Sequence, residues 1–117
     1  MQAQRAELFS LLPEYGWRVA EIEEDLDWWA DEMWLLESVW SPVGSPAYIT
    51  FLVDPQFDGN RKKGEAVWAV MGSFRKPVSY LQGEDEFTFS LGHRWKDNLP
   101  AFFGFMHAMR RSPDYWD

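Results

Sequence analysis

With 117 residues the chain has the length of one domain, 1–117, and can bury a core without disulfides or a structural metal. It contains no cysteine, which excludes disulfides, thiolate zinc sites and thiol catalysis and suits a reducing compartment. Nineteen acidic against eleven basic residues leave a formal charge of −8, which repels nucleic-acid backbones and anionic membranes.

In chain order, "QAQRAELFSLLP" (2–13) predicts a short amphipathic helix with Leu8, Phe9, Leu11 and Leu12 on its apolar side. Pro13 stops it by disfavouring helical geometry at Leu12. Tyr15-Gly16 reads as a turn, and "WRVAEIE" (17–23) as a first strand. Residues 28–41 carry two signals. Ile22, Leu26, Trp29, Met33, Leu36 and Trp40 fall near helical spacing, which fits one long helix. "WLLESVWS" and "AYITFLVD", however, are β-rich segments of similar length flanking "PVGSP", and a hairpin explains both. The hairpin is the reading adopted.

A polar loop, "QFDGNRKKG", leads to a strand in "EAVWAVMGSF". "RKP" breaks the chain, "VSYLQ" is a short extended piece, and "GEDE" turns into a last strand, "FTFSL". Asn98 or Leu99 caps a final helix, "LPAFFGFMHAMRR", with Pro100 in its first turn and Arg110-Arg111 at its negative end. The expected fold is α+β: an antiparallel meander sheet of four to six strands with N- and C-terminal helices packed on one face, α-β-β-β-β-(β)-α.

Alternation along the strands makes both sheet faces apolar. Trp34, Leu36 and Trp40 oppose Met33, Leu35 and Val39; Ile49, Phe51 and Val53 oppose Tyr48, Thr50 and Leu52; Val67, Ala69 and Met71 oppose Trp68, Val70 and Phe74. Helices about 10–12 Å wide roof strands about 4.8 Å apart only once. The second face then needs a second subunit, a ligand, a long loop or sheet curling. A second copy is the expectation, because symmetric homodimers are the commonest oligomers. With 8 Trp, 9 Phe and 4 Tyr, part of the aromatic surface is expected at an interface or groove. The interface candidates are Trp34, Trp40, Tyr48 and Trp68, with Trp28, Trp29 and His93 beside them.

Three constellations invite chemistry. "DPQFDGNRKKGE" places Asp54, Asp58, Gly59 and Glu65 at positions 1, 5, 6 and 12 of a calcium loop. Gln56, Pro55, Lys62 and Lys63 spoil that match, so a basic turn is the expectation and no metal site is assigned. The acidic group Glu21, Glu23, Glu24, Asp25, Asp27, Asp31 and Glu32 reads as a solvated turn around 24–27, with binding of a divalent cation or docking of a basic partner as the sharper alternatives. His107 sits among helix residues as a core-edge side chain, and His93 in "GHRWKDN" is the better functional candidate. No nucleophile elbow, P-loop, dinucleotide fingerprint or H-E-x-x-H motif occurs, so no catalytic residue and no cofactor is assigned.

These readings combine into one expectation. The chain is a small, acidic, non-catalytic protein-interaction domain that self-associates as a homodimer or docks a protein partner, a basic protein among the candidates. The alternative is a domain binding a small molecule or sugar on a Trp-lined face or in a cavity. Nucleic acid and membrane are not expected as partners. No Met-Lys-apolar leader opens the sequence and no apolar run reaches the ~20 residues that span a bilayer, so a cytoplasmic location is expected.

Overall fold

The computed structural model describes residues 2–24, 28–38, 47–57, 59–77 and 86–110. Helix α1 (Gln2–Leu11) runs into a single 3-10 turn, Leu12–Tyr15. Pro13 cannot continue the α-helical ladder, and Gly16 closes the turn at φ 83°, donating its N–H to the Pro13 carbonyl at 3.1 Å. Five strands follow: β1 (Trp17–Glu24), β2 (Ala30–Ser38), β3 (Ala47–Val53), β4 (Val67–Ser73) and β5 (Glu86–Ser90). A second 3-10 turn, Trp95–Asn98, leads into α2 (Leu99–Arg110).

The strands pair antiparallel in chain order, β1-β2-β3-β4-β5, as a meander. Both helices pack on one face of it, as the sequence pattern predicts. Leu8 and Leu12 from the N-terminal segment and Leu99, Phe102, Phe103 and Met106 from α2 share one core with Trp34, Leu36, Ile49, Phe51, Val70 and Phe89. The i, i+3, i+4, i+7 spacing of the four α2 residues puts them on one stripe of that helix.

Each helix has a definite seat. Arg5 reaches Glu32 and the Phe9 ring meets Trp34 edge-on at 5.4 Å, which sets α1 over β2. The Phe102 ring lies 5.0 Å from Phe89 and directly on Gly72, where a Cβ would stand 2.6 Å from Cε1 of that ring. Gly72 thus lets α2 settle onto β4 and β5. The N-terminal segment borders β1, where Trp17 is buried in the same core and Val19 packs against it.

Two expectations need correction. Strand β2 starts at Ala30, four residues before the predicted Trp34, so Asp31 and Glu32 belong to the sheet and not to a wet turn. Both are buried, at 1% and 2% exposure. A strand tolerates such acids because they meet fixed cations, described below. The long helix weighed for this stretch does not form, since β1 ends at Glu24 and β2 opens at Ala30.

The second face is apolar as expected, but its middle is closed within the single chain. Trp29, Ala30, Met33, Leu52, Ala69 and Met71 form a second buried cluster with Tyr48 at its edge. Trp29, from the turn ahead of β2, folds down onto this face, and counting only helices as cover overlooks such a residue. The need for a second copy over the middle of the sheet is thereby removed. The "PVGSP" turn, the "VSYLQ" segment and Trp40 lie outside the described residues.

Candidate functional site

The loop between β3 and β4 is fastened to β2 by charge. The buried Asp31 carboxylate accepts the Gly64 backbone N–H at 2.9 Å and an Arg61 guanidinium hydrogen bond through Oδ1, while Oδ2 lies 3.2 Å from Lys63 Nζ. Lys63 also donates to the Asp31 carbonyl at 3.0 Å and lies 3.2 Å from Glu32 Oε1. Glu32 Oε1 takes Arg5 at 3.1 Å, and Oε2 accepts the Trp34 indole N–H at 2.7 Å. Burial alone pushes Asp31 upward; the Gly64 N–H, Arg61 and Lys63 outweigh it and hold the carboxyl below its ordinary value. Two carboxylates thus face three cations, and Asp31 Oδ2 has the Lys63 ammonium beside it but no hydrogen bond.

That network draws on the would-be calcium loop. Lys63, one of the residues that spoil the motif, and Arg61 two positions before it hold the loop onto the sheet. Gly64 at φ 83° and Ala66 at φ 62° give the left-handed turns that bring the chain back to β4. Among the described residues no three His, Asp or Glu side chains converge as a metal site would require. Asp58 lies outside the described residues.

The sequence candidates scatter over the molecule. Trp34 is buried under α1, and Trp29 is buried on the opposite face. Trp28 stands 64% exposed in the turn before β2, and Trp68 is 42% exposed at the start of β4. Tyr48 is half-buried, and exposed His93 lies in a shallow depression with Ser90, Arg94 and Asn98. Among the described candidates only Tyr48 and Trp29 share a cluster. His107 is half-buried on α2, beside a depression lined by Tyr15, Pro100 and Phe103.

The surface that does collect features is the β1 margin, which sequence reasoning missed. β1 is eight residues long, pairs with no strand but β2 among the described residues, and is largely exposed. On the helix face an apolar groove runs beside it in two segments that meet at Phe9. One holds Ile22, Glu24, Glu32 and Trp34; the other, about 350 Å³, holds Leu12, Pro13, Trp17 and Val19. Phe9 and Ile22 are each 46% exposed there. On the opposite face a cleft lies between Glu21 and Glu23 of β1, Met33 and Leu35 of β2, Tyr48 of β3, and Lys76.

A bulge at Ala20 creates this split. Register shifts between Val19 and Glu21, so Val19, opposite Leu36, and Ile22, opposite Trp34, both fall on the helix face, while Glu21 and Glu23 fall on the other. The other edge strand, β5, is only five residues long. The clue in the sequence is topological: the first strand of a meander is an edge, and its outward apolar residues need a reason.

No family model, curated protein or solved structure matches the chain. Among the described residues no helix is long and apolar enough to cross a membrane.

Proposed function

We propose that this chain is a non-catalytic protein-interaction domain that docks a protein partner along the β1 margin. The observation that carries the reading is an eight-residue edge strand bordered by a groove where Phe9 and Ile22 stand half-exposed. An added strand would bond to the outer backbone groups of β1 and set alternate side chains into the groove and over the opposite cleft. The site thus lies at the margin of the sheet, not on its aromatic middle. A cysteine-free chain of this charge fits a cytoplasmic setting, which belongs to the same proposal.

Self-association through this margin is the homodimer form of the reading. The small-molecule alternative has one supporting feature, the apolar groove segment at Trp17, whose volume of about 350 Å³ falls within the ~300–1,000 Å³ of ligand pockets. Trp fluorescence during ligand titration addresses it.

Site-specific photo-crosslinking tests the docking reading. A benzophenone side chain at Ile22 is expected to give a discrete protein adduct in cells, and the same group at Gly104 on exposed α2 surface is not. Absence of any Ile22 adduct, or an identical pattern from both positions, contradicts the proposal.

A further inference from the structure

We infer that the β1 margin selects an extended segment in which apolar residues alternate with lysine or arginine. The inference rests on the docking reading and adds the chemistry of the occupant. Residues directly opposite one another on paired strands point to the same face. A segment laid beside β1 therefore presents one set of side chains to Val19, Ile22 and the Phe9 groove, and the other set to Glu21 and Glu23.

The second set meets acidic side chains. Glu21 and Glu23 are the side chains of this face nearest an added strand and are placed to receive its charged heads, with Met33, Leu35 and Tyr48 further in across the sheet. The chain already makes one such contact: Lys76 reaches across the cleft to place Nζ 3.2 Å from Glu23 Oε1. Glu21 and Glu24 enter no ion pair among the described residues and are exposed on the two faces of the strand. The formal charge of −8 strengthens attraction of a basic segment at a distance.

A second copy fits this strip less well. β1 itself offers one cation, Arg18, against Glu21, Glu23 and Glu24, and Arg18 is already bonded to Glu37. Two copies edge to edge would bring two such acidic sets together, which like-charge repulsion opposes.

The test uses three eight-residue peptides on the full chain: alternating Lys and Val, alternating Thr and Val, and a block isomer with four Lys before four Val. Affinity is read by calorimetry near physiological salt, and the site by amide chemical-shift changes. The alternating Lys peptide is expected to bind tightest, with shifts centred on β1. Glu21→Lys is expected to weaken it about tenfold, as an attraction between rim charges becomes a repulsion, with the protein's melting temperature unchanged. Equal binding of the block isomer, or unchanged affinity in Glu21→Lys, overturns the inference. If the Thr peptide binds at β1 as well as the Lys peptide, the basic selectivity falls and docking stands. If no peptide shifts β1 resonances, or dilution reveals a dimer closed through β1, the inference also fails.

Discussion

Asp31→Ala is expected to destabilise the fold by about 3 kcal/mol, toward the low end of the ~3–5 kcal/mol for breaking a buried ion pair. The variant leaves Gly64 N–H without its acceptor and leaves Arg61 and Lys63 facing a vacated site. Both cations keep partial access to water, which is why the effect does not reach the upper end. The loss is large beside a typical total stability of about 5–15 kcal/mol. Denaturant unfolding of wild type and variant measures it, and a change below about 1 kcal/mol contradicts the structural role given to this carboxylate.

The same residue sets an acid limb. Its folded-state pKa is held below the unfolded value, so its contribution is fully present above the unfolded carboxylate pKa of about 3.9 and is lost as pH falls through the folded one. Asp31→Asn keeps an oxygen for the Gly64 N–H but cannot ionise. Its stability deficit relative to wild type is therefore expected to shrink as pH falls below about 4.

Trp34→Ala is expected to cost about 4 kcal/mol, within the ~3–5 kcal/mol typical of deleting a buried large aromatic. Trp34 is 1% exposed, meets Phe51 at 4.9 Å as well as Phe9, and donates to Glu32. Trp34→Phe separates the contributions. It keeps most of the apolar burial but removes the indole donor from Glu32 Oε2, for an expected loss of about 1–3 kcal/mol. Thermal unfolding of the two variants checks the order. If the alanine variant is no less stable than the phenylalanine one, Trp34 is not the core residue described.

Trp34 also shows where sequence reading works and where it stops. Strand alternation assigns it correctly to one face with Leu36 and assigns Met33 to the other, because a period of two follows from strand geometry alone. It does not say which face the helices take, and so a core residue could be read as an interface candidate. The meander and both helices are legible for similar local reasons: Pro13 and Gly16 end the first helix, and Asn98-Leu99-Pro100 mark the entry to the second. The early start of β2 was hidden because Asp31 and Glu32 are strand residues only by virtue of Arg5, Arg61 and Lys63. The two loop cations lie about thirty positions away. The docking strip was hidden too, since edge status belongs to the finished sheet and the Ala20 bulge decides which way Ile22 and Glu21 face.

Amide hydrogen exchange along β1 tests the central claim most directly, with the protein captured by cross-linking at Ile22 as the partner. In the free chain the β1 amides that do not bond to β2 are predicted to exchange rapidly. On adding the partner they are predicted to slow at least about tenfold, the signature of new backbone hydrogen bonds, while β5 is unchanged. Outer β1 amides already protected in the free chain, or protection that rises only at β5 or over the middle of the sheet, would contradict it.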